Sequence, residues 1–297
     1  MRAHATFLPL AATFLAVGLL SLMDALMKGA ALAAGAYSAA LLRSAIAALI
    51  VIPVWLARGG RWPARPVLQL HLRRGVVAAF MALTFFYALT KLPIAETIAI
   101  SFVAPLAALW LAALLLGERV RREAIGAALL GLIGTLVIIG GRIGSASFDH
   151  ETMLGLAAIL LSGALYAYNL VLTRQQALLA GPLEIASFHS GVGLATLAMA
   201  APFLLTIPDA ATMRLIAASS LLTVGGSMAF AWAYARAEAQ VLVPIEYSGF
   251  LWAALFGWLF FAEAVTGATL AGTVLIVIGC WLATRRGRAE PPEQLAL

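Results

Sequence analysis

The strongest constraint on this chain is a series of ten apolar stretches, none carrying more than two charged residues. Read between charged or Pro/Gly breaks, they fall at 6–27, 37–57, 73–90, 93–116, 122–141, 153–173, 183–205, 213–235, 239–261 and 266–284. A helix needs roughly 20 mostly apolar residues to cross the hydrocarbon of a bilayer. Backbone N–H and C=O groups find no water there, so only helices or a closed barrel can cross. Barrel strands alternate apolar and polar residues, whereas a stretch such as 106–116 is apolar throughout. Charged residues are only 11% of the 297 positions, against about 25% in soluble domains, too few to coat a globule. The sequence therefore predicts an all-α membrane protein with ten transmembrane helices.

Residues 1–25 open with Arg2 and an apolar run, so a secretory signal is the alternative to a first span. The apolar stretch 7–23 is long for a signal core and more spans follow, so it is read as retained. The single cysteine, Cys280, lies inside an apolar run, which excludes a disulfide framework and a Cys-rich metal site. The net charge of +6 would suit nucleic acid if the cations formed one patch. They do not. With the N-terminus inside, Arg2, Arg58, Arg61, Arg65, Arg73, Arg74, Arg119, Arg121, Arg122, Arg174, Arg236, Arg285, Arg286 and Arg288 fall on one side. Lys28, Lys91, Arg142 and Arg214 fall on the other, a distribution of 14 against 4 with Arg43 within a span. Because Lys and Arg stay on the cytoplasmic side, both termini are expected there, in a multi-pass protein of a bacterial inner membrane.

The second half of the chain repeats the first. At an offset of 145, residues 86–135 map onto 231–280 without a gap, pairing Lys91 with Arg236, Phe102 with Tyr247, Glu118 with Glu263 and Gly134 with Gly279. An offset of 146 pairs Lys28 with Arg174, Arg43 with His189 and Ser44 with Ser190. Five spans per copy is an odd number, so the second copy enters the bilayer from the opposite face. The expected units are 1–145 and 146–285, two inverted five-helix repeats around a central cavity, with 286–297 a disordered cytoplasmic tail. Inverted repeats are a recurrent architecture of secondary transporters, whose halves exchange conformations to open one site alternately to each side.

Residues 104–106 and 116–119, then 125–127 and the glycines Gly131 and Gly134, resemble the EamA-type drug/metabolite transporter superfamily. Residues 261–265, 271–272 and 278–279 resemble that family's second module. The second copy departs from the pattern where Phe250 stands opposite Pro105, with Pro244 earlier in the stretch. The resemblance implies a basket of ten helices, with spans one to four and six to nine lining the cavity.

Polar residues within the apolar stretches are the candidate site. Arg43 lies about 9 Å into span two, at about 1.5 Å per residue. It is read as snorkelling, as an anion binder facing the cavity or as the partner of Asp24. His189, its repeat-mate, occupies the corresponding depth from the other face and is either a packing residue or functional. Thr97, Ser101 and Pro105 share one helix face at four-residue spacing. The mate of Ser101 is Glu246, a carboxylate deep in a span that should face protein or water, read as proton coupling, as contact with a substrate amine or as a buried structural hydrogen bond. Glu96, nearer the boundary, is read as solvated. Tyr87 and Trp232 are mates, and Tyr166, Tyr168 and Asn169 cluster on span six. Interfacial belt residues are the bland reading of the aromatics, and an amphipathic cavity wall the functional one. Glu118 and Glu263 each precede a new helix and are read as helix-terminal caps. Ala127, Gly131 and Thr135, and Ala268 and Gly272, are read as close-packing small residues.

No phosphate-binding GK[ST] loop, HExxH or paired acids on a short helix occur, and His150–Glu151 lacks a second ligand nearby. The expectation is a secondary transporter without a cofactor or metal, not an enzyme, moving a small polar metabolite among membrane lipids with protons as coupling ion. Substrate contacts are assigned to Asp24, Arg43, Tyr87, Ser101, Tyr168, Asn169, His189, Trp232 and Glu246, with Glu246 also the coupling residue. Export of amino acids with broad specificity is the leading substrate reading. Uptake of a nucleoside-like or S-adenosylmethionine-like metabolite, or a membrane enzyme or structural subunit, are the alternatives.

Overall fold

The computed structural model describes residues 2–104, 106–108, 111, 122–143, 149–234, 236, 242 and 245–285. They form α1 (Arg2–Ala34), α2 (Ala36–Ala57), α3 (Arg65–Lys91), α4 (Ile94–Ser101), α5 (Arg122–Ile143), α6 (His150–Ala177), α7 (Pro182–Ala198), α8 (Ala210–Tyr234), α9 (Gly249–Phe261) and α10 (Gly267–Arg285), with one further turn at Ala201–Leu204. By length and composition, α1, α2, α3, α6 and α8 can each cross a membrane. α5 and α10 run for 22 and 19 residues, and α4, α7 and α9 are shorter as regular helix. Span seven, expected unbroken over 183–205, stops at Ala198 and resumes for one turn. Pro202 has no N–H to offer the Ala198 carbonyl.

Local chemistry sets the helix ends. Gly35, at φ 84°, turns the chain between α1 and α2, a conformation glycine adopts without steric cost. Pro66 opens α3 and Pro93 precedes α4, where a missing N–H costs nothing. Asp149 caps α6 by accepting from the Thr152 N–H at 2.8 Å.

The most extensive helix contacts follow one exchange rule, in which each helix of the first half is replaced by the helix five places on. The broad contact of α1 with α8 becomes that of α6 with α3, and both are present. The pairs α1–α9 and α4–α6, α2–α8 and α3–α7, and α1–α2 and α6–α7 likewise map onto each other. Three pairs map onto themselves: α5–α10, α2–α7 and α4–α9. These lie on the pseudo-two-fold axis of an inverted repeat.

At the α5–α10 crossing, a Cβ on Gly134 would sit 2.5 Å from the Gly272 carbonyl oxygen, and one on Gly272 would sit 2.5 Å from Ile138 Cγ1. Only glycine permits this approach, so Gly272 fulfils its reading as a packing residue. The reading of Gly117 to Arg119, Pro105, Pro244 and the 286–297 tail lies outside the described residues.

Candidate functional site

The fourth and ninth spans both break where they cross. α4 gives way to a turn at Phe102–Val103 before helix resumes at Ala104, and α9 begins only after a turn at Tyr247–Ser248. The Val103 N–H bonds the Ile100 carbonyl at 3.2 Å, and the Ser248 N–H bonds the Ile245 carbonyl at 2.9 Å. These are the same i→i−3 bond at an offset of 145. The mates Phe102 and Tyr247 meet edge to face, centroids 5.4 Å apart. Ser101 and Glu246, each just before its break, thereby converge from opposite sides of the axis.

They open on a cavity of about 590 Å³. α1 contributes Val17, Leu20, Ser21 and Asp24, spaced at three and four residues so that one face turns inward. α6 contributes Tyr166 and Leu170, and α8 contributes Phe230. Glu246 lies close enough to Tyr166 for the two to interact electrostatically, as do Asp24 and Arg43. The Ser101 hydroxyl donates to the Thr97 carbonyl at 2.9 Å, leaving its oxygen lone pairs to the cavity. Next to this wall, Asn169 Oδ1, Ser248 Oγ and Trp252 Nε1 are buried without a hydrogen-bond partner among the described residues. Two carboxylates, the hydroxyls of Ser21 and Ser101 and four aromatic rings thus surround one space. Such a site accepts a ligand with charged or hydrogen-bonding groups on an apolar body.

Beyond the cavity, two polar clusters tie opposite ends of the bundle. At the end away from the arginine-rich 58–74 connection, Lys28 donates to the Leu92 carbonyl at 2.7 Å and ion-pairs with Glu263. Glu263 Oε2 also accepts the Ile94 N–H at 2.8 Å. Glu263 is a cap, as read, but it caps α4 rather than the following α10. Its acceptance of a free N–H at a helix start suits the dipole there. Lys91 pairs with Glu151 nearby, and Glu96 faces Arg142 at 3.6 Å. Glu96 is only 3% exposed, which corrects its reading as a solvated carboxylate. The helix it opens is packed inside the bundle, and Arg142 supplies the countercharge.

At the arginine-rich end, Arg74 donates to Gln176 Oε1 at 2.6 Å. Arginine can only donate, so the Gln176 amide N–H₂ points to His71 Nδ1, and His71 Nε2–H donates to Glu184 at 2.9 Å. That chain links α3, α6 and α7.

The nine sequence-predicted contacts separate on this geometry. Asp24, Ser101 and Glu246 line the cavity. Arg43 is half-buried, its guanidinium 5.2 Å from the Phe86 ring centroid and its Nε without a hydrogen bond. It interacts electrostatically with both Asp24 and its mate His189. His189 borders a separate hollow of about 380 Å³ with Arg74 and Pro182. Asn169 is buried beside the cavity residues of α6. Tyr168 is not among the lining residues. Two residues correspond to about 200° around a helix, so Tyr166 faces the cavity and Tyr168 the other way.

Tyr87 and Trp232 do not line the cavity either. The ammonium of Lys91 lies 5.6 Å from the Tyr87 ring centroid, and the guanidinium of Arg236 lies 4.4 Å from that of Trp232. Trp232 is 39% exposed. Their symmetry is genuine, but what it repeats is a cation over an aromatic one turn away at each end of the bundle. Phe102, Tyr166, Phe230 and Tyr247 form the aromatic wall instead; of these, the Phe102/Tyr247 pairing was visible as a repeat match.

Outside the spans, Asp149 and Asp209 are exposed helix caps. Hydrogen bonds from Thr152 and Thr212 hold their carboxyls below the usual carboxylate range.

The sequence matches the EamA-like transporter family twice, over residues 8–140 and 153–285. It is similar to the pseudopaline exporter CntI of Pseudomonas aeruginosa, with 29% identity over 88% of this chain and 90% of that protein. A riboflavin transporter of Brucella anthropi is 27% identical over 78% of this chain and 82% of its own length. The aromatic amino acid exporter YddG of Ancylobacter novellus is 33% identical over 39% of each chain.

Proposed function

The chain belongs to the EamA-like transporter family, and from that premise we propose that it exports amine-bearing amphipathic metabolites, amino acids among them, through the cavity at the α4–α9 crossing. It is a multi-pass membrane transporter of small metabolites and not an enzyme. The observation that carries the finer reading is the convergence of Asp24 and Glu246 with Phe102, Tyr166, Phe230 and Tyr247 on one cavity. Carboxylates in a bilayer are costly and mark substrate or proton pathways, and the rings suit the apolar part of an amino acid or a similar metabolite. The export direction follows the named exporters among its relatives, and the arginine bias supports cytoplasmic termini in a bacterial inner membrane.

Alternating access fits the exchange symmetry of the packing. In the described arrangement Lys28 and Glu263 tie α1, the chain just past α9 and the start of α4 together at one end. Exchange of the repeats would bring their mates, Arg174 and Glu118, into the same role at the other end.

The test is counterflow of radiolabelled aromatic and aliphatic amino acids in proteoliposomes, with and without a pH gradient. Exchange of at least one aromatic amino acid supports the reading, and silence with all of them removes the amino-acid version. Glu246→Gln should abolish the response to the pH gradient while leaving exchange intact; an unchanged pH response removes Glu246 from coupling. The riboflavin transporter among the relatives favours one rival, uptake of a larger ring-bearing metabolite. Uptake of labelled riboflavin without amino-acid exchange would establish it.

A further inference from the structure

A second hollow lies on the flank of the bundle, far in chemistry from the central cavity. It holds about 550 Å³ between α2, α3 and α7, and the polar side-chain groups of its lining are the hydroxyls of Ser187 and Thr196 and the indole N–H groups of Trp55 and Trp62. Along α7 it runs from Ser187 to Met199, about 18 Å at ~1.5 Å per residue. That is a little over half of a hydrocarbon core about 30 Å thick, which is the depth of one leaflet. Met199 is 81% exposed and Trp62 73%, so the hollow faces outward.

Its mouth is basic. Trp55 lines the hollow one turn before Arg58, the C-cap just past α2; Leu68 lines it one turn after Arg65, the first residue of α3. Arg61 adjoins the lining residue Trp62. None of the three arginines forms an ion pair or side-chain hydrogen bond among the described residues, and all are exposed. The connection between α2 and α3 is built to hold them there. Gly59 turns at φ 77°, and the Gly60 N–H returns to the Trp55 carbonyl at 3.0 Å. A Cβ on Gly60 would lie 2.6 Å from Trp55 Cδ2, so the chain can fold back over the indole only as glycine. Trp55 and Trp62 then both pack edge-on against Phe188, at 5.6 and 5.5 Å.

We propose that this flank is a binding site for one anionic phospholipid, with an acyl chain in the α2–α3–α7 groove and its phosphate held by Arg58, Arg61 and Arg65. An apolar channel of one leaflet's depth under three uncompensated cations matches an anionic lipid at both ends. A zwitterionic lipid would bring its own ammonium against the arginines. Each arginine near an anionic surface contributes about fivefold in affinity, so the preference for phosphatidylglycerol over phosphatidylcholine of identical chains should be at least about tenfold.

The test is native mass spectrometry and thermal melting of the purified full chain titrated with each lipid. Phosphatidylglycerol should be retained and raise the melting temperature in the wild type, and the triple variant R58Q/R61Q/R65Q should lose the preference while still folding. Ala195→Trp, which fills the groove and leaves the arginines in place, should lose retention of both lipids. Arg73→Gln, on a different hollow with Gln69 and Gln175, should retain the preference. The proposal is overturned if the triple variant still discriminates, if Ala195→Trp still retains phosphatidylglycerol, or if Arg73→Gln is as damaging as the triple variant. Equal stabilisation by inorganic phosphate or by oleate alone, or a dimer covering the groove in place of lipid, would overturn it too.

Discussion

If Lys28 and Glu263 latch one end of the transporter, removing the charge of Glu263 should open that end selectively. The side chains are only 6% and 15% exposed, and Glu263 also holds the first N–H of α4. Glu263→Gln preserves shape and an oxygen for the Ile94 N–H, so the loss is electrostatic. Removing one partner of a buried ion pair costs about 3–5 kcal/mol, because the other charge stays buried alone. At 1.4 kcal/mol per tenfold, the lower bound shifts the closed-to-open ratio of that end by about a hundredfold. The readout is labelling of a cysteine introduced at Ser101, which lines the cavity, in a Cys280→Ser background. A membrane-impermeant maleimide added from the Lys28 side should label the Glu263→Gln protein much faster than its parent. Adding Lys28→Met removes the stranded charge, so the double variant should recover thermal stability while keeping fast labelling. That separates opening from unfolding. Unchanged labelling from that side in a folded Glu263→Gln protein would refute the latch.

Three other expectations follow from positions of different kinds. Gly272→Ala forces α5 and α10 apart at a self-mated crossing and should cost about 1–3 kcal/mol of overpacking, seen as a lower melting temperature. Gly140→Ala, whose Cβ would meet nothing within 4 Å, is the matched control and should not destabilise. Trp232→Leu should leave the substrate KM unchanged, because Trp232 lies under Arg236 rather than in the cavity; a raised KM in transport assays would return it to the site. Asp149→Ala should lower the melting temperature at neutral pH. The folded carboxyl titrates below its ordinary value of 3.8, so its stabilisation is complete above that value and disappears as pH falls through the folded-state value. The difference in melting temperature between wild type and variant should therefore be full at neutral pH and shrink as the pH is taken down through the folded-state value; a constant difference would refute the cap.

The spans were legible because lipid imposes a length and an apolarity that no soluble context requires. The repeat was legible because Lys91/Arg236 and Glu118/Glu263 are costly matches between apolar helices. What the sequence did not show depends on rotation and distance. The helices carrying Tyr166 and Glu246 are apolar on nearly all sides, so periodicity does not say which face turns inward, and Tyr168 was chosen where Tyr166 lies. The break at Phe102–Val103 has a local cause, since Pro105 offers no N–H to the Ser101 carbonyl, but that it meets the break at Tyr247–Ser248 across the axis is a long-range condition invisible in a local window. The Lys28–Glu263 pair spans 235 positions. Tyr87 and Trp232 show the converse error: a true symmetry whose cause, a cation one turn away, lay in the adjacent residues.

The axis positions also say where direction can enter. A perfectly symmetric inverted repeat would make its two exchanged conformations equal in energy, and no ligand could then favour one by its own charge. A ligand shifts an equilibrium only by its differential affinity for the two states. Phe102 and Tyr247 meet on the axis as near-equivalents and supply little difference. Ser101 and Glu246 are mates of unlike charge on one cavity, and Arg43 and His189 are mates of unlike basicity on α2 and α7. On the proposed exchange of the halves, the carboxylate and the hydroxyl would trade environments, so a proton or an amine bound at Glu246 would stabilise one state more than the other. Under the proposed mechanism, the departures from the repeat, rather than the repeat itself, are therefore where coupling to a gradient would reside.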